Sequence, residues 1–132
     1  MPDFATSALE TATEEPAPDG SRVRPLARLP GGGMAHFELP PGRVSAAVSH
    51  RTVAEIWYVL SGRGEMWRAQ GAREEVTALR PGVCLTIPQG VRFQFRAFGP
   101  KPLGVVAVTM PPWPGADEAV AEAGPWAPSP PA

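Results

Sequence analysis

Residues 42–62 read GRVSAAVSHRTVAEIWYVLSG. A glycine stands at each end, with one histidine, His50, and one acid, Glu55, between them. The second half, AEIWYVL, is rich in β-branched and aromatic residues and has the length of an ordinary strand. Turn signals punctuate the chain on both sides: LPGGG at 29–33, PPG at 40–42, SGRG at 61–64, RPG at 80–82, PQG at 88–90 and FGPKP at 98–102. The runs between them, MAHFEL, GEMWRAQ, VCLTI, VRFQFRAF and LGVVAVTM, are also strand-like. In VRFQFRAF the residues alternate, with Phe93 and Phe95 on one face and Arg92, Gln94 and Arg96 on the other, as in a half-buried antiparallel strand. The 132 residues include 14 Gly and 18 Pro, nearly a quarter of the chain, which leaves little room for long helices. The reading is therefore all-β, one domain, a sandwich or a barrel.

The spacing of the central stretch separates these two. Gly42, five residues, position 48, one residue, His50, four residues, Glu55, six residues and Gly62 fall in the register G-x5-H-x-H-x4-E-x6-G, which resembles the first motif of the cupin family. From Gly82, GVCLTIPQGVRFQFRA resembles the second motif, G-x5-P-x-G-x2-H-x3-N, with Gly82, Pro88 and Gly90 in place. The resemblance covers residues 34–110 and implies a single jelly-roll β-barrel. It also implies polar motif residues turned inward, usually to hold a divalent transition metal through three His and one Glu.

Two of those four ligand positions are changed. Val48 and Phe93 stand where the family places histidines, and Ala97 stands where it often has asparagine. Neither valine nor phenylalanine offers a lone pair, and two protein ligands seldom hold a metal that tight sites bind through three or four. The expected cofactor is therefore none. The exception would be a rebuilt set of His36, His50 and Glu55, which requires His36 to turn into the barrel; alternation groups it with Met34 and Glu38, opposite Phe37 and Leu39, and leaves open which face looks inward. The expected pocket is lined by His36, Val48, Trp57, Phe93 and Phe95, with His50 and Glu55 as an acid–base pair inside it. Three functions follow from these residues: metal-independent proton transfer in an isomerisation, cyclisation, elimination or decarboxylation; non-catalytic binding of a small molecule; or a metal-dependent oxygenase or isomerase on the rebuilt set.

Composition narrows the surroundings. The net charge of −1 hides an asymmetry: residues 1–20 carry five acids and no base, 114–132 carry three acids and no base, and the segment between them stands at +7. That segment could attract an anionic small molecule. The reading places a flexible acidic tail at 1–20, the barrel at 21–113 and a Pro/Ala-rich tail at 114–132, where Trp126 is poised to dock on the domain. SRVRPLARL at 21–29 can lie along a partner's sheet edge or cover its own barrel, and the family resemblance implies a homodimer. Cys84, the one cysteine, is expected to be a small core residue. With no signal-like start, no apolar run long enough to span a bilayer and no helix-turn-helix pattern, the expectation is a cytoplasmic protein that binds neither membrane nor nucleic acid.

Overall fold

A computed structural model describes residues 2–130. Its strands are β1 (Glu15–Pro16), β2 (Arg22–Leu29), β3 (Gly32–Leu39), β4 (Val48–His50), β5 (Ala54–Ser61), β6 (Arg63–Gln70), β7 (Arg73–Leu79), β8 (Cys84–Ile87), β9 (Arg92–Phe98), β10 (Leu103–Met110) and β11 (Ala119–Ala121). They form two antiparallel sheets, a six-stranded one in the order β1-β2-β3-β10-β5-β8 and a five-stranded one in the order β11-β4-β9-β6-β7. The chain crosses repeatedly from one sheet to the other, so their inner faces share one core, as in a double-sheet jelly roll. No helix among the described residues is long and apolar enough to cross a membrane.

Period-two patterning sets which side chains enter that core. Along β5, Glu55, Trp57 and Val59 are buried while Ile56, Tyr58 and Leu60 are exposed. On β9, Phe93 and Phe95 point inward, and Trp57 meets Phe95 edge-on at 5.0 Å. Met66, Leu79, Leu103 and Val105 complete the interior around these rings. Gly62 turns the chain from β5 into β6 with φ of +77°, and a Cβ there would lie 2.2 Å from the carbonyl oxygen of Pro102. Glycine is thus required for its conformation and for the close approach.

The strand runs expected from the sequence all form. One finer expectation is revised. Cys84 is exposed, because β8 is the edge of its sheet and its alternation sends Leu85 and Ile87 inward. The segment 21–29 covers its own barrel: β2 pairs with β3 in register from Arg22 opposite Glu38 to Leu29 opposite Gly32. Parts of both terminal segments also join the sheets, with β1 on β2 and β11 on β4.

The C-terminal segment beyond β11 then crosses the outer face of the five-stranded sheet. Gln94, fully buried, donates from its amide to the carbonyls of Ser45 and Trp126 at 2.8 Å each and accepts from the Trp126 N–H at 3.2 Å. The Trp126 ring lies 4.1 Å from the Arg96 guanidinium. Docking of Trp126 thus uses the polar face of β9 that alternation turns outward.

Candidate functional site

His50 closes β4 and Glu55 is the second residue of β5, so a turn at residues 51–53 sets their separation. That turn is held from far along the chain. The Glu118 carboxylate accepts from the Thr52 N–H at 2.7 Å, the Thr52 hydroxyl at 2.6 Å and the Val53 N–H at 2.9 Å. Burial alone would raise the Glu118 carboxyl, but these bonds and the neighbouring His50 outweigh it and hold the group below its ordinary pKa. The Arg51 N–H also donates to the Glu118 carbonyl at 3.0 Å.

Positioned in this way, His50 Nδ1 lies 3.1 Å from Glu55 Oε1. The two side chains are 5% and 4% exposed, which removes both from bulk water. The approach is close but poorly aligned, and Nδ1 has no hydrogen-bond partner among the described residues. Phe93 and Trp113 meet the imidazole ring edge-on at 5.2 and 5.0 Å and fix its plane. On the other side, Glu55 Oε2 accepts from the Trp57 indole N–H at 2.7 Å. Desolvation disfavours charge on both members of the pair. It lowers His50 to about 4, against the raising effect of Glu118. It lifts Glu55 to about 7, against the Trp57 bond, with the Asp19 charge adding to the rise.

The pair sits in a cavity of about 350 Å³ between the sheets. Val48, Trp57 and Phe93 line it, with Val48 and Phe93 supplying apolar volume where the family has imidazoles. Phe95 does not reach the cavity and packs behind Trp57 in the core.

His36 is not in the cavity either. It pairs with Val106 and Arg24 across β3, and its Nε2 lies 3.5 Å from where a Cβ on Gly104 would be, on the outer face of the six-stranded sheet. Phe37, one residue on, points inward. The set His36, His50 and Glu55 therefore does not assemble, because neighbours in a strand face opposite ways. Among the described residues no group of three His, Cys, Asp or Glu side chains is placed to hold a metal ion. The donors present do not fit the divalent metal that this barrel type implies.

Asp19 escaped the sequence reading. It lines the cavity from the turn between β1 and β2, almost fully buried. Its carbonyl accepts from the Ala46 N–H at 2.8 Å, and its Oδ1 accepts from the Ser21 N–H at 3.0 Å and the Ser21 hydroxyl at 2.7 Å. Burial raises its carboxyl despite those bonds. The signal was the sequence PDGS at 18–21, a turn signature hidden in a stretch whose composition resembles a tail.

A two-sheet jelly roll with a polar pair at the centre of a largely apolar barrel defines a class of small β-barrel proteins. The chain belongs to the cupin family: the cupin-domain model matches residues 35–109, more than half of the sequence. No curated protein sequence matches it. Solved structures share the fold at low identity. KdgF from Halomonas sp. is 20% identical with a TM-score of 0.69, covering 81% of this chain and 94% of its own. Pac13, a nucleoside dehydratase from Streptomyces, is 12% identical with a TM-score of 0.71, covering 91% and 92%. Oxalate decarboxylase from Bacillus subtilis is 12% identical with a TM-score of 0.74, covering 92% of this chain and 33% of its own.

Proposed function

We propose that this cupin binds a small molecule in its barrel and performs proton-transfer chemistry on it with Glu55 and His50, without a metal. The observation that carries this reading is the buried, unpartnered Nδ1 of His50 beside the Glu55 carboxyl. A basic nitrogen kept neutral and free of hydrogen bonds is ready to take a proton. A carboxyl raised to about 7 still holds one to give near neutral pH. In an elimination, isomerisation, cyclisation or decarboxylation, Glu55 would protonate the departing or carbonyl oxygen and His50 would receive the proton removed from carbon. The resulting carboxylate and imidazolium lie 3.1 Å apart, so one transfer between Nδ1 and Oε1 restores both. Meanwhile the Trp57 N–H steadies the carboxylate at Oε2. The likeness in fold to Pac13, a nucleoside dehydratase, supports an elimination as one such reaction.

The second reading, a binder without catalysis, draws on the same cavity and treats His50 and Glu55 as packing. Nucleosides and small hydroxy-carbonyl compounds incubated in deuterated water separate the two. On the catalytic reading, wild type forms product or incorporates deuterium, while Glu55→Gln and His50→Ala bind the same compound and leave it unchanged. Turnover undiminished in both variants would overturn the assignment. A ligand that raises the Tm with no product at all would favour the binder. Elemental analysis belongs to the same experiment: one transition metal per chain, lost on His50→Ala, would overturn the metal-independent mechanism.

A further inference from the structure

We propose that the ligand of this cavity is a small amine: an apolar or aromatic body carrying a protonated nitrogen that Asp19 receives. The inference rests on the small-molecule reading above and adds the ligand's charge.

The polar groups buried in the cavity wall are Asp19, His50, Glu55, Trp57 and Thr109. The Trp57 N–H is already taken by Glu55 Oε2. What remains is two carboxyls, one unpartnered ring nitrogen and one hydroxyl, a set dominated by acceptors once Glu55 has given up its proton, above about pH 7. A protonated amine brings several donors and the opposite charge, and hydrogen bonds from a cation to a carboxylate are among the strong ones. A neutral ligand would supply hydrogen bonds alone. An anion would meet two buried carboxyls, Asp19 and Glu55, in the wall of the same cavity. The rim does not alter this balance, since its exposed charged residues are Glu15 and Arg28, one of each sign. Phe37, Trp57, Phe93 and Trp113 supply aromatic surface for the body of the ligand and attract a cation over their faces.

Of the twelve basic residues of the central segment, whose excess by itself suggests an anionic ligand, only Arg28 lines the cavity and six are engaged elsewhere. Arg96 pairs with Glu65, Arg68 and Arg73 with Glu75, and Arg24 with Glu14. Arg51 donates to the carbonyl of Asp117 and Arg43 to that of Pro130.

Three probes of one shape test the proposal: benzylamine, benzyl alcohol and benzoate, titrated at pH 8 into wild type, Asp19→Asn and Asp19→Ala. Wild type is expected to prefer benzylamine over benzyl alcohol by about tenfold or more, the equivalent of one charge-assisted hydrogen bond, and to reject benzoate. Both Asp19 variants should lose that preference and keep their affinity for benzyl alcohol, which shows the cavity intact. Equal binding of amine and alcohol, binding of benzoate, or a preference that survives Asp19→Asn would overturn the amine assignment and leave the small-molecule reading standing. Failure of all three probes to bind wild type would overturn both.

Discussion

His50 Nδ1 and Glu55 Oε1 face each other at 3.1 Å with both groups in their less charged forms, and this has a measurable effect on stability. In the unfolded chain Glu55 gives up its proton near 4.5 and His50 near 6.5; in the fold these become about 7 and about 4. Between pH 4.5 and 6.5 the unfolded chain therefore carries its proton on His50 and the folded chain carries one on Glu55, so the two linkages cancel. Removing either partner exposes the other. In Glu55→Gln the lowered pKa of His50 favours the fold above pH 6.5 and that contribution is lost as pH falls toward 4. In His50→Asn the raised pKa of Glu55 favours the fold below pH 4.5 and the contribution is lost as pH rises toward 7. Each slope approaches one proton, about 1.4 kcal/mol per pH unit. Urea unfolding at several pH values checks this, with the variants expected to slope in opposite directions relative to wild type, since the shifted Asp19 and Glu118 are common to all three; profiles parallel to wild type would contradict it. Both residues were legible from motif spacing. Their protonation was not, because it depends on how much water the surrounding chain excludes.

Among the elements, the segment from Trp113 to β11 does most to hold the site in place. Trp113 flanks the His50 ring, and Glu118 ties down the turn that joins His50 to Glu55. Glu118→Ala should cost about 2 kcal/mol, since it leaves the N–H groups of Thr52 and Val53 without their charged acceptor. It should also change the surroundings of His50, and the chain has only two histidines, so imidazole proton spectra are simple to read. The His50 resonances are expected to move and those of His36, on the outer face of the other sheet, to stay. If both stay, Glu118 does not position the pair. Strands such as β5 and β9 could be read from alternation because their pattern repeats every two residues. Glu118 could not, because it contacts partners 65 and 66 residues away and nothing local marks it. Asp19 has a local turn signal, but its burial comes from Ala46 and the cavity wall, which lie far away in sequence.

Across the whole molecule the two sheets differ in how their outer faces are covered. The five-stranded sheet is crossed by the chain's own C-terminal segment, with Glu122 accepting from the Ser49 hydroxyl and Trp126 seated on Gln94 and Arg96. Among the described residues, the six-stranded sheet has an apolar outer face without such cover. Val108 lies between Met34 and Ile56, and Val106 lies between His36 and Tyr58, so cross-strand rows of apolar side chains run over β3, β10 and β5. Met34, Ile56, Tyr58 and Leu60 are 40–46% exposed, an unusual concentration for a surface in contact with water. We propose that a second copy of the chain covers this face, which gives the expected homodimer a location. Ile56→Lys adds a charge at the centre of the patch without touching the core, since Trp57 and Glu55 point the other way. Light scattering at tens of micromolar is expected to give a dimer for wild type and a monomer for Ile56→Lys, with unchanged circular dichroism. A wild-type monomer would overturn the dimer, and a dimer that tolerates the lysine would place the interface elsewhere. Because His36 lies in this face and Phe37 lines the cavity from the same strand, dimerisation should also restrain β3, so Ile56→Lys is expected to weaken ligand binding severalfold without altering any residue of the cavity.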